Sequence, residues 1–416
     1  MSARLKIVNP VWILVLLCTA YSLSFFQRVY PSVLSLDLME AFAVDTAGFG
    51  LISSATMLGY AVTQIPSGLL TDIMGGRRAL ALYQLFAGLC CMAFTLCESL
   101  MPAVACRFLL GLTLACNVPA YKLLAFCVPA ECYARYCSIL TGCGAVGTLL
   151  ASSPLVAVTG LVGWRAALFM VGVFTVLLGG MMYVLLHDGE VSAQVPASMG
   201  DNLRDLKRGI AEVVRMKNFW FIVLWFMFMI GNLFTLLTAW WGGYLMQANG
   251  LSKDMAGLSM SVMSLVPLPF LVVFPWLSDR VLHSRRVFLL LAALLETLVL
   301  GYLCLHTGEP LSFAELTAAG VIISVVSNCM GPLSFTMVKE SVPSSALASA
   351  CGFLNSTGPA VSALMQALLG VLVSWRLSEG ATAMQAYGNA FWLLCAGSFV
   401  SFVAACFMKD TLTRRT

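Results

Sequence analysis

Tyr21-Ser22-Leu23-Ser24-Phe25-Phe26-Gln27-Arg28-Val29-Tyr30 sets an arginine inside an apolar run that extends from about Pro10 to Leu36. A run of that length suits a helix crossing the hydrocarbon core of a bilayer, which takes about 20 residues. A cation in such a helix costs roughly 2.5–3.5 kcal/mol on insertion scales. Arg28 is therefore expected to face protein or a watery cavity and to have a task there. The run is one of about twelve of similar length, and such a chain reads as a carrier that meets negative charge.

Composition agrees. The 416 residues are 60% hydrophobic and 10% charged, where a soluble domain carries about 25% charged residues, and mean hydropathy is +0.92. The first apolar segment lacks a small-residue cleavage pattern and reads as a retained helix. A net charge of +4, spread along the chain, gives no footing for nucleic acid. Most of the 15 cysteines lie within spans, Cys90, Cys91, Cys106, Cys116, Cys143 and Cys395 among them, where Cys acts as a small apolar residue. A disulfide framework is not expected.

Apolar runs place spans near 11–33, 48–70, 79–97, 102–124, 136–158 and 164–187, then 218–246, 255–277, 286–305, 312–338, 345–373 and 385–408. Between the sets lies the one long polar stretch, with Asp201, Arg204, Asp205, Lys207 and Arg208. The expected organisation is an N-terminal six-helix bundle over 1–187, a cytoplasmic linker over 188–217 and a C-terminal six-helix bundle over 218–416. With the N-terminus cytoplasmic, 17 of the 23 Lys and Arg fall in inside segments, the bias that sets orientation. Both termini are then cytoplasmic. A monomer in the lipid bilayer of a bacterial cytoplasmic membrane is expected, with no cofactor.

The halves repeat one another. Asp45-Thr46-Ala47-Gly48 opens span two and Asp254-Met255-Ala256-Gly257 opens span eight, each Asp suited to cap its helix. Asp72 followed by Arg77-Arg78 matches Asp279-Arg280 followed by Arg285-Arg286, and Val128-Pro129 matches Val342-Pro343. Three landmarks in one order, offset by about 207 to 214 residues, predict two six-helix bundles related by a pseudo-twofold axis along the membrane normal, an arrangement that supports rocking alternating access.

Gly68-Leu69-Leu70-Thr71-Asp72-Ile73-Met74-Gly75-Gly76-Arg77-Arg78 resembles the signature loop of the major facilitator superfamily, Gly-x-Leu-x-Asp-Arg-x-Gly-Arg-Arg/Lys. The likeness extends over the whole chain, with a second, weaker copy at Asp279-Arg280, Arg107-Phe108-Leu109-Leu110-Gly111 similar to the Arg-x-x-x-Gly element of span four, and Gly163-Trp164-Arg165 before span six. The resemblance implies a secondary transporter whose loop Asp72, Arg77, Arg78, Asp279 and Arg280 form a gating network at the cytoplasmic rim. Ile73 and Gly76 stand where the pattern has Arg, so the network is thinner than usual. Pro154 follows Ser152-Ser153 where drug antiporters carry Gly-Pro, which weighs against drug efflux.

Three cations lie within spans. Arg28 would pair with a carboxylate or phosphate in a confined, low-dielectric site; a structural arginine satisfied by carbonyls is the alternative. Tyr21, Phe25 and Gln27 around it offer stacking and hydrogen bonds, or packing alone. Arg107 is expected at a comparable depth, where two cations would define an anion site, unless it ties helices together within its bundle. Lys122 is 15 residues further on, roughly 22 Å at 1.5 Å per residue, near the cytoplasmic end where snorkelling is cheap. Asn117, Pro119 and Tyr121 beside it read as an irregular, cavity-lining stretch.

Further polar candidates are Tyr60 with Gln64 one turn on, Asn328, and Gly231-Asn232, read as a bend in span seven. Trp241, at the outer end of that span, reads as interfacial belt or gate. Glu296 in span nine is the one acidic residue well inside a span, a structural group or the route of a coupled proton; sodium coupling is equally open.

The leading reading is a secondary carrier for a small organic anion such as a carboxylate, on the strength of three intramembrane cations against one carboxylate. A soft-metal carrier is the second: nine cysteines fall between Cys90 and Cys143, with Met227, Met229, Met260 and Met263 elsewhere, and thiol and thioether ligands select Cu(I). Met227 and Met229 face opposite sides of a helix, which argues against it. A carrier-like sensor that moves nothing is the third. No nucleophile–base pair, nucleotide loop or HExxH supports an enzyme.

Overall fold

The computed structural model describes residues 10–128, 130–186, 213, 215–342 and 347–412. The linker expected over 188–217 lies outside the described residues up to 212, and Lys217 already begins a helix. The N-terminal half holds α1 (Pro10–Val33), short α2 (Ser35–Ala41), α3 (Thr46–Met74), α4 (Gly76–Thr95), α5 (Leu100–Thr113), α6 (Asn117–Cys127), α7 (Ala130–Leu150) and α8 (Ser153–Leu185). The C-terminal half holds α9 (Lys217–Thr235), α10 (Lys253–Leu265), α11 (Pro267–Leu277), α12 (Arg285–Leu305), α13 (Phe313–Ser341), α14 (Leu347–Ser378) and α15 (Ala383–Phe407).

Among the described residues, ten helical stretches are long and apolar enough to cross a membrane, or eleven if α2 and the start of α3, bent by 111°, count as one. Most overlap the expected spans, and expected span 48–70 lies within α3. Expected span 136–158 is corrected: α7 ends at Leu150, the chain turns at Ala151-Ser152, and α8 then runs on with a kink at Gly163 (φ 78°) before the expected span 164–187.

Several local expectations are corrected. Span four is two helices, α5 and α6, because Pro119 has no N–H to offer the carbonyl of Ala115 four residues back. Span eight breaks at Val266, immediately before Pro267. The bend expected at Gly231-Asn232 is absent: α9 stays helical there, and Gly231 serves close packing, since a Cβ would lie 2.8 Å from Val361 Cγ1. The irregularity comes later, as π-type turns over Leu236–Trp240 and Tyr244–Ala248. Asp45 caps α3 as expected, its Oδ1 accepting from Gly48 N at 3.0 Å, but Ser252 and not Asp254 caps α10.

Within each half the helices pack as a bundle, most extensively α4 on α8, α3 on α5, and α12 on α15. Small residues permit the close crossings. At α3–α5, a Cβ on Gly59 would fall 2.3 Å from the Phe108 carbonyl oxygen, and one on Gly111 2.3 Å from that of Thr56.

The bundles meet chiefly along α3 and α14, with α1, α7 and α8 touching the region from Leu236 through α10. We call the end where α8 stops and α9 starts the linker face, and the other end the remote face. The polar ties between bundles concentrate at the remote face. Lys253 Nζ pairs with Asp37 at 2.7 and 2.9 Å, and Gly242 N donates to Ser32 Oγ at 2.9 Å. Ser374 Oγ donates to Asp45 at 2.5 Å, Thr46 Oγ1 to the Gly370 carbonyl at 3.2 Å, and Ser261 Oγ to Ser153 Oγ at 3.2 Å. Phe49 meets Trp240 edge to face, ring centroids 5.4 Å apart. Among the described residues, the cross-bundle bond nearest the linker face is Asn355 Nδ2 to Gln64 Oε1, 2.8 Å. The conformation is sealed at the remote face.

The seal has no room at Gly242, where a Cβ would lie 2.1 Å from the Ser32 carbonyl oxygen. Gly242→Ala should therefore push the bundles apart at this end. A reporter cysteine at Ser153, with the native cysteines replaced, should react severalfold faster with a membrane-impermeant maleimide; an unchanged rate would mean that the contact does not govern closure.

The Ser374 hydroxyl, then the Gly48 N–H, hold the Asp45 carboxyl below its ordinary value of 3.8. A depressed value means the contact's contribution is complete above the ordinary pKa and is lost as pH falls through the lowered one. Closure measured with the same reporter should thus be constant between about pH 5 and 8 on this account, and Asp45→Asn should not restore any pH dependence in that window.

Candidate functional site

Arg28 is positioned by the break between α5 and α6. Residues Leu114 to Cys116 are non-helical, so the last carbonyls of α5 lose their helical donors. Ser67 Oγ donates to the freed Ala115 carbonyl at 3.1 Å. The Leu114 carbonyl accepts from Ser24 Oγ at 2.9 Å and from Arg28 Nη2 at 3.0 Å, and the same Nη2 reaches Ser24 Oγ at 2.9 Å. The C-terminal end of a helix is the negative end of its dipole, which favours a cation there. The guanidinium carbon sits 3.8 Å from the Tyr60 ring centroid and 4.7 Å from that of Phe25. A desolvated contact of this kind is worth about 2 kcal/mol.

Carbonyls and rings stabilise the cation without neutralising it. Arg28 is 3% exposed, and no carboxylate among the described residues lies within ion-pair distance. Its Nε is buried with no hydrogen bond, and Nη1 makes none to the protein. The side chain is held by one nitrogen and leaves the other edge of its fork unpaired.

Tyr21 lies against Phe25, centroids 5.2 Å apart. Tyr60 and Gln64 follow one another on α3, and Gln64 Nε2 is buried with no partner while Oε1 takes the bond from Asn355. Asn117, at the start of α6, has a buried Oδ1 without a partner, and Tyr121 bonds Thr141 Oγ1 at 2.9 Å. Asn328 is half-buried and donates to Ser324 Oγ at 3.2 Å.

Other candidates sit elsewhere. Arg107, 1% exposed, is enclosed by α1, α4 and α5: Nη1 donates to the Gln27 carbonyl at 3.1 Å, and its guanidinium lies 4.8 Å from the Tyr30 ring and 5.9 Å from Phe94. The Gln27 amide is buried with neither atom bonded. Asn232 faces the interior of the C-terminal bundle, donating to Glu296 Oε1 and to the Leu394 carbonyl, both at 3.0 Å. Glu296 is fully buried and also accepts from Ser327 Oγ at 2.6 Å. Trp241 is fully buried against Gly320, where a Cβ would lie 2.9 Å from its ring; its neighbour Trp240 makes the cross-bundle contact. Met260 and Met263 are buried in the hydrophobic core.

At the linker face, Lys122 Nζ pairs with Asp72 at 2.6 Å and lies 3.5 Å from the Thr71 carbonyl. Arg77 reaches the Leu186 carbonyl at 3.5 Å and lies over the Tyr183 ring, while Arg78 and Arg280 are exposed. The Asp279 side chain lies outside the described residues. In the C-terminal half Arg285 pairs with Glu340. Both ion pairs stay within their own bundle.

Ser24, the Leu114 carbonyl and Asn355 entered the site only with the structure. A polar run, Asn355-Ser356-Thr357 inside span eleven, was the signal available for Asn355; nothing local marks a carbonyl as free.

Comparison with known proteins bears on fold and class. The chain is 24% identical over 185 residues to the probable galactarate/D-glucarate transporter of Escherichia coli (strain K12), which covers 42% of this chain and 41% of that one. It is 23% identical over 365 residues to a putative tartrate transporter of Agrobacterium vitis, 81% of each, and 25% identical over 161 residues to the probable sulfoacetate transporter of Cupriavidus necator, 38% and 37%. The chain thus matches less than half the length of the Escherichia and Cupriavidus relatives. Among solved structures, a bacterial homolog of the human lysosomal transporter Spinster, inward-facing, superposes with a TM-score of 0.75 at 15% identity over 96% of both chains. A D-xylose–proton symporter does so with a TM-score of 0.75 at 15% identity, over 97% and 98%. The family description for the Major Facilitator Superfamily matches residues 15–244 and 230–415, and the chain belongs to that superfamily.

Proposed function

We propose that this chain is a secondary carrier that moves a small organic anion, a carboxylate, across a membrane by rocking two bundles, 1–187 and 218–416, about a central site. The observation that carries the reading is Arg28: a buried guanidinium with no counter-ion, held by Ser24 and the Leu114 carbonyl and leaving Nη1 unbonded. A bound carboxylate would supply the missing charge and a bidentate partner. Relatives named for galactarate or D-glucarate, tartrate and sulfoacetate support an anionic substrate. Arg107 acts in this account as a tie between helices, and Lys122 with Asp72 belongs to the gate.

The basic-residue bias puts the linker face in the cytoplasm, so the sealed remote face is the outer one. A carrier of this kind works as a monomer and couples to a proton or sodium ion. Glu296, enclosed by Asn232 and Ser327, is the acidic group within the spans that a coupled proton would occupy.

Arg28→Lys keeps the charge but not the fork. Transport by purified protein in proteoliposomes should fall on the order of tenfold or more, close to the loss in Arg28→Ala, as expected when a charge-assisted pair is broken. Thermal stability should stay near that of the unaltered chain. Normal transport in Arg28→Ala would remove the proposal, and a loss that tracks collapse of the fold would make Arg28 a structural residue.

A further inference from the structure

Charge bookkeeping around Arg28 narrows the anion. Sequence alone gives three cations within the spans, enough for a substrate of two or more negative charges. The structure withdraws two of them. Lys122 is neutralised by Asp72 at 2.6 Å. Arg107 has no carboxylate partner either, but it is enclosed inside the N-terminal bundle, between Tyr30 and Phe94 and with its Nη1 on the Gln27 carbonyl, away from the other half. Arg28 is left, among the described residues, as the cation without a counter-ion that lies on Tyr60, one turn from the Gln64–Asn355 bond where the two bundles meet.

The surroundings of Arg28 are neutral. Tyr60 covers one face of its guanidinium. Gln64, one turn along α3 and so about 6 Å further toward the linker face, offers a buried Nε2 that bonds nothing, and its Oε1 is tied to Asn355 of the other bundle. An amide N–H without an acceptor suits a hydroxyl oxygen, since a buried donor left unmet is costly. A second carboxylate placed there would have amides and rings for company and no cation.

We propose that the site takes a hydroxylated monocarboxylate and discriminates against the dicarboxylate of the same carbon skeleton. This rests on the reading of Arg28 as the anion anchor. It departs from the substrates named for all three relatives: galactarate or D-glucarate and tartrate carry two carboxylates, and sulfoacetate a carboxylate and a sulfonate.

The test uses matched acids that differ in one carboxylate: D-gluconate against D-glucarate, and threonate against tartrate, titrated at pH 7.5 into the purified full-length protein with binding followed by calorimetry. At least one monocarboxylate should bind at least about tenfold more tightly than its dicarboxylate partner, as expected for a desolvated charge left unpaired. Gln64→Lys, which adds a cation one turn from Arg28, should reverse the preference, and Arg28→Ala should abolish binding of both members. A dicarboxylate that binds as tightly as its partner, or a preference that Gln64→Lys leaves in place, overturns the inference while leaving the anion anchor standing. Equal binding of the acids by Arg28→Ala and the unaltered chain, or no binding of any of the four, overturns the anchor as well.

Discussion

The carbonyl of Leu114 is the point on which the central site turns. It is free because α5 stops at Thr113 and α6 restarts only at Asn117. Two helices then converge on the gap: α1, through Ser24 and Arg28, on the Leu114 oxygen, and α3, through Ser67, on that of Ala115. In a bilayer an unmet carbonyl costs several kcal/mol, roughly, and irregular backbone persists only where protein or water satisfies it. The break and the cation thus support one another: the carbonyl orients the guanidinium, and the guanidinium makes the break tolerable. An unbroken helix at this point would leave Nη2 without its backbone acceptor.

A division of labour between the halves follows. The N-terminal bundle carries the two arginines buried within spans, Arg28 and Arg107, and the break between α5 and α6. The C-terminal bundle encloses Glu296 between an asparagine and a serine, with Trp241 packed against Gly320. The halves are joined at the remote face mostly by hydroxyls, backbone groups and one aromatic edge, with Asp37–Lys253 as the ion pair. That pair is half-buried, and ion pairs still open to solvent contribute little individually, about 0–1 kcal/mol. Such a seal is strong enough to define a state and weak enough to be exchanged for another.

Much of this was legible in the sequence, because membrane spans are written as composition and the repeat as ordered landmarks. Arg28 stood out for the same reason: a cation in an apolar run must find partners inside the protein or in a watery cavity. The partners of charged side chains were not legible. Lys122 and Asp72 are 50 positions apart, and nothing near either residue says that they meet. Arg107 was placed at the right depth, but depth does not say which side of a helix a side chain takes. Gly231-Asn232 read as a bend because glycine in a span often marks one, yet here it marks the close approach of Val361. Asn355 was overlooked among the small polar residues that are common where helices pack in membranes.

The bond between Gln64 and Asn355 is, among the described residues, the one polar link between bundles outside the remote-face seal. It joins the half that holds Arg28 to the half that holds Asn355. On the proposed reading, the anchor for a carboxyl head and the asparagine that holds the neighbouring Gln64 sit on different bundles. On that reading, changes on α14 would alter the surroundings of Gln64 while leaving the contacts of Arg28 with Ser24 and Leu114 in place. A fold built this way can acquire new substrates of the same charge by altering one bundle alone, while the other keeps its chemistry unchanged.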